Sequence, residues 1–120
     1  MKRLTKPSPA LQKIFSLQCE ICRALGHPAR LAIVDLLDDR ETAATELLEA
    51  LGTSKANLSK HMTLLTHAGI IQARRSGRQV FYQLTDPEIH KACAIMRSIL
   101  YRRLKESQRL ASAIGSRSSR

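Results

Sequence analysis

Residues 51–70, LGTSKANLSKHMTLLTHAGI, hold both ends of one helix. The Ser54 hydroxyl can accept from an N–H left free at a helix start, and Gly69 is placed to take the left-handed conformation that follows a helix end. Between them Leu58, Met62, Leu64 and Leu65 recur at roughly helical spacing, which predicts a helix of about four turns. Its first half also carries Lys55, Asn57, Ser59, Lys60 and His61, side chains that donate to or accept from base edges and phosphates. No carboxylate opposes them. Between Glu49 and Asp86 the chain has five Lys or Arg and no Asp or Glu, a one-signed surface that suits a nucleic-acid duplex.

Upstream, TELLEAL reads as a short helix from a Thr45 cap to a Gly52 stop, with both glutamates facing solvent. Gly52, Thr53 and Ser54 then make the sharp turn of a helix-turn-helix, whose second helix enters the major groove. Downstream the period changes from helical to alternating. Ile70 to Arg74 and Val80 to Leu84 read as a β-hairpin about Ser76-Gly77, a weaker two-residue turn than Asn-Gly that leaves room for a loop one or two residues longer on each side, with Arg74, Arg75 and Arg78 clustered at the tip, within reach of a minor groove or its flanking phosphates.

The flanks are helical. Ser8 followed by Pro9 opens a helix through Leu25, with Leu11, Ile14, Phe15, Ile21, Cys22 and Leu25 among its apolar positions, and Gly26 stops it. His27 and Pro28 start ARLAIVDLLDD, whose apolar face is broad enough for a central helix. Thr85, Asp86 and Pro87 start a last helix that runs to about Ala113, with Ile89, Cys93, Met96, Leu100 and Leu104 forming a narrow seam suited to pairing with another helix. The expected organisation is a flexible basic N-terminus over 1–7, one domain over 8–113 and a disordered basic tail over 114–120. The fold class is mainly α with a small β-hairpin wing, in the order α-α-α-α-β-β-α.

The chain has 120 residues, 20 Lys plus Arg against 10 Asp plus Glu and a formal charge of +10, with a pI of about 10.3. That length supports one domain, and that charge points to a polyanionic partner. A membrane is not expected: no apolar run approaches the ~18 residues that span a bilayer, and the N-terminus lacks the apolar region of a secretory signal. The expected location is cytoplasmic, so Cys19, Cys22 and Cys93 lie in a reducing compartment, where metal binding or redox sensing outranks a structural disulfide.

ALGHPARLAIVDLL, LGTSKANLSKHMTLLTHAGII and RRSGRQVFYQLTD together resemble the ArsR/SmtB family of winged helix-turn-helix repressors over about residues 24–86. The resemblance implies a homodimer built on the first and last helices, bound to a palindromic double-stranded DNA operator and released by an inducer. The family's inducer sites do not carry over. Ala43 stands in the stretch where arsenite and cadmium sensors of the family have a ligating Cys. In the last helix Asp86 remains, but Glu88, Ile99 and Arg102 fall where its zinc and cobalt sensors place ligands.

The three thiols then admit three readings. Cys19 and Cys22 share one side of the first helix, and the resemblance sets Cys93 against that helix across the dimer, so three sulfurs can converge on As(III), Sb(III) or another thiophilic ion acting as inducer; no cofactor is required. Alternatively Cys93 and one of the pair form a disulfide or polysulfide bridge under oxidant or persulfide stress. The third reading is that they only pack as small apolar residues. His27, His61, His67 and His90 show no zinc spacing.

The expected function is a DNA-binding repressor, not an enzyme. Ser54, Lys55, Asn57, Ser59, Lys60 and His61 read bases and phosphates, and Arg74, Arg75 and Arg78 hold the wing to the backbone. Rivals are a small thiol oxidoreductase using Cys19 and Cys22, whose motif lies well inside a helix with no preceding strand, and an architectural DNA-binding protein without a ligand.

Overall fold

The structure, a computed structural model, describes the backbone of residues 3–118 and the side chains of residues 3–115. Its elements run α1 (Pro9–Leu25), α2 (Pro28–Leu37), β1 (Thr42–Ala43), α3 (Ala44–Leu51), α4 (Lys55–His67), β2 (Ile71–Ser76), β3 (Gln79–Leu84) and α5 (Glu88–Ser118). Side-chain caps start most of the helices where the sequence placed them. Ser8 Oγ accepts from the Leu11 N–H at 3.2 Å, His27 Nδ1 from Ala29 at 3.0 Å, Ser54 Oγ from Asn57 at 3.1 Å and Asp86 Oδ1 from Glu88 at 2.9 Å.

Four expectations are corrected. α3 begins at Ala44, with Ala43 at its N-cap and no side-chain cap; Thr45 already lies inside the helix. Its entry is fixed instead by β1, a two-residue strand too short to show a period, in which Thr42 pairs with Tyr82 and Ala43 with Phe81. The hairpin turn is Gly77-Arg78, because Ser76 pairs with Gln79. Gly77 takes φ +62°, which a side chain disfavours and which the first position of this tight turn requires. Finally, α5 continues through Ser118 rather than ending near Ala113, so the helix enters the segment expected as a disordered tail; residues 119–120 lie outside the described part. No proline interrupts it there, and Gly115 costs only about 1 kcal/mol relative to alanine. At the other end Arg3–Pro7 have no regular structure, and residues 1–2 lie outside the described part.

The core sits where α2, α3 and α4 meet the sheet: Ile33, Val34 and Leu37 of α2, Leu47 of α3, Leu58, Met62 and Leu65 of α4, and Ile70, Ile71 and Leu84. The three strands are antiparallel in the order β1-β3-β2. α1 contributes no fully buried residue. α5 packs on α2 through polar groups as well: Arg97 donates to Asp35 at 2.8 Å, and the His90 ring lies between Asp35 at 3.4 Å and Asp38 at 3.5 Å. Asp38, which closes α2, is the one non-glycine at positive φ (51°) among the described residues. The radius of gyration is 19.6 Å, against about 14 Å for a compact chain of this length, because the long α5 extends beyond the body it packs on.

Candidate DNA interface

The buried stripe of α4 is Leu58, His61, Met62 and Leu65, spaced i, i+3, i+4, i+7, which leaves Lys55, Asn57, Ser59, Lys60 and Thr63 exposed. Ser54, also exposed, is occupied as the N-cap. The start of α4 therefore presents two ammonium groups, an amide and a hydroxyl, with backbone N–H groups at the positive end of the helix. Leu64, grouped with the apolar positions from sequence, is 50% exposed, because it lies off that stripe.

His61 is corrected. It is 7% exposed, its ring meets that of His27 at a tilt of 51° with centroids 4.7 Å apart, and its Nδ1 faces Arg30 Nη1 at 3.3 Å. Since a guanidinium only donates, Nδ1 is the acceptor and the ring proton sits on Nε2. Burial first, then the nearby His27 and Arg30, pushes the His61 pKa down from its ordinary value. Its position three residues after Leu58 and four before Leu65 is the sequence signal that places it inward. His61 thus packs inside the domain against His27 and Arg30 rather than on the exposed face of α4.

The three wing arginines separate. Arg74 pairs with Phe81 across the strands, lies over its ring at 4.7 Å and reaches across β3 to Glu41, donating through Nε at 2.9 Å and Nη2 at 2.6 Å. That two-pronged hydrogen bond, more than their charges alone, holds the Glu41 carboxyl below its ordinary pKa. Arg74 is thus tied to the flank of the sheet, with its charge already paired with a carboxylate. Arg75 pairs with Val80 on the other face, and Arg78 is in the turn; neither has a carboxylate partner among the described residues. An open groove of about 240 Å³ separates the wing from α4, with Lys55, Leu58, Ser59, Arg78, Gln79 and Tyr82 along it. Gln79 was not singled out from sequence; the turn position that exposes it depends on the register.

Cys19 and Cys22 are exposed on α1, and Cys93 is half-buried on α5. Burial is the main cause that raises the Cys93 pKa. Arg97 opposes it, while Asp35 and Cys22 add to it, so the Cys22 thiol lies within electrostatic reach. Among the described residues no three His, Cys, Asp or Glu side chains gather around one metal-sized point. Ala43, at the α3 N-cap, offers no ligand. Among the described helices none is long and apolar enough to cross a membrane.

Two helices joined by a three-residue turn, followed by a basic hairpin, define a winged helix-turn-helix DNA-binding protein. Comparison with known proteins narrows this. The profile of a family described as a helix-turn-helix domain matches residues 19–72. The HTH-type transcriptional regulator Rv0081 of Mycobacterium tuberculosis is 34% identical over 96 residues, 79% of this chain and 84% of that protein. Its crystal structure matches with a TM-score of 0.69 at 33% identity, covering 84% of this chain and 98% of that one. The transcriptional repressor SmtB of the same organism is 38% identical over 82 residues, 68% of this chain and 61% of that protein. The repressor BigR of Xylella fastidiosa matches with a TM-score of 0.68 at 26% identity, over 78% of this chain and 96% of that one. The chain belongs to the ArsR/SmtB family of winged helix-turn-helix transcriptional repressors. As its relatives are, it is a transcriptional regulator and not an enzyme; Cys19 and Cys22 lie within α1, and among the described residues no strand precedes them.

Proposed function

We propose that the protein works as a homodimer on a two-fold operator and lets go of it when a thiophilic metalloid, arsenite or antimonite, or another soft ion engages its cysteines. The exposed face of α4, with Arg75 and Arg78, meets the duplex. Uncovered apolar side chains on the first and last helices support the dimer: Phe15 is 46% exposed and Leu100 is 51% exposed. The observation that supports the inducer reading is that Cys22 of α1 and Cys93 of α5 flank one core, since Ile21, Leu25 and Cys93 all pack against the same buried cluster. A soft ion takes thiolates, so its binding displaces the proton that burial holds on Cys93. A third sulfur would come from Cys19, by a movement of α1, or from the partner subunit. An ion there would favour a different arrangement of α1 and α5 and so change the distance between the two α4 helices.

The same placement favours a second reading, in which peroxide oxidises the two thiols to a disulfide and is itself reduced to water, or a low-molecular-weight persulfide oxidises them to the same disulfide and leaves as thiol and hydrogen sulfide. Both readings are tested on a duplex selected from a random-sequence library. Release of the wild type by arsenite but not of Cys93→Ser supports the ion. Release by peroxide or persulfide alone transfers the site to redox chemistry. Release of Cys93→Ser by every agent removes the thiols from sensing and leaves them as packing residues.

A further inference from the structure

Thr53, in the turn before α4, is half-buried, and its Oγ1 accepts a hydrogen bond from Asn57 Nδ2 at 2.9 Å. The backbone of the same residue is held too, since the Asn57 N–H donates to Ser54 Oγ at 3.1 Å. An exposed asparagine on a helix normally samples several rotamers and both amide orientations. Here the side chain is held in one rotamer with its nitrogen folded back on Thr53, which leaves Oδ1 and the second amide hydrogen for a ligand. That acceptor and donor side by side match the N6 amine and N7 of adenine in the major groove. Guanine offers two acceptors there, thymine an acceptor and a methyl group, and cytosine only its amine donor. We infer that Thr53 is a specificity-determining positioning residue: by holding the Asn57 amide nitrogen it makes each half-site require adenine at the base pair that Asn57 meets.

This rests on α4 being the base-reading helix. Thr53 itself touches no base in this account. Its effect is preorganisation, so removing the hydroxyl lowers discrimination at one base pair while leaving attraction to phosphates intact.

The test is selection and sequencing of duplexes from a random-sequence library by the full chain and its variants, with affinity for a fixed random duplex measured alongside. The wild type is expected to select a two-fold motif with one adenine column per half-site that Asn57→Ala flattens. Thr53→Val weakens the same column about five- to tenfold, a part of what a two-pronged base contact provides, with unchanged affinity for the random duplex. Thr53→Ser, which keeps the hydroxyl, restores the column. The Thr53→Val/Asn57→Ala double variant matches Asn57→Ala. Asn57→Asp, which keeps the outward acceptor and loses the donor, shifts the column from adenine towards cytosine. A Thr53→Val motif identical to that of the wild type, or altered at a column other than the one Asn57 controls, overturns the role of Thr53 while leaving α4 as the reader. An Asn57→Ala motif identical to that of the wild type overturns base reading by Asn57 itself.

Discussion

The imidazole of His61 is a polar group used as a core residue, and its environment favours the neutral ring. Nδ1 accepts from Arg30, which a protonated ring cannot do, and the arginine charge lies 3.3 Å away. Its pKa is therefore lower in the folded protein than in the unfolded chain. Below about pH 6.5 the unfolded chain binds the extra proton first, so this contribution is complete above that pH and is lost as the pH falls through it. We expect the urea midpoint to drop between pH 7.5 and pH 5.5, and to drop less in His61→Gln; an equal drop in the variant would assign the effect to another group. The arginines make a second residue-scale contrast. Arg75→Ala and Arg78→Ala should each weaken binding to every duplex and reduce the slope of log affinity against log salt by about 1. Arg74→Ala should leave that slope unchanged, since Glu41 already neutralises it; equal slopes for all three variants would refute the division. Nothing in RRSGR distinguishes the three. The distinction arises because strand parity puts Arg74 on the Phe81 face and β1 brings Glu41 alongside.

At the scale of elements, the caps and glycines of α1, α2 and α4 were legible because each acts within four residues of itself. β1 was not, since two residues carry no period and their pairing with β3 spans about forty residues of chain. The α4 stripe was legible only in part. Leu64 and Leu65 look equivalent as letters, yet Leu65 is fully buried and Leu64 half exposed. Leu65→Ala should cost about 2–5 kcal/mol of stability and Leu64→Ala under about 0.5 kcal/mol, read by chemical denaturation. Comparable losses would mean that Leu64 is covered in the assembled protein. The candidate site divides likewise: Lys55, Asn57, Ser59 and Lys60 are exposed as the pattern predicts, whereas Thr53 gained its place only once its hydroxyl was seen to hold Asn57.

For the whole molecule, the elongated shape follows from α1 and α5, whose apolar side chains exceed what one chain covers. Phe15→Glu, at an exposed position that contributes nothing to the core, should convert the proposed dimer to a monomer in sedimentation equilibrium and weaken binding to a two-fold duplex far more than to a single half-site. A variant that remains dimeric would move the interface off α1. The sequence by itself determined the helix-turn-helix, the basic wing and the family, because caps, turns, periodicity and charge are local properties of the chain. Only the tertiary structure decided that His61 faces inward, that Arg74 belongs to Glu41, that Cys93 is half-buried while Cys19 and Cys22 are exposed, and that Thr53 holds Asn57. Each of these depends on the exact helix phase, strand parity or side-chain contact, which the pattern of letters leaves free and packing fixes.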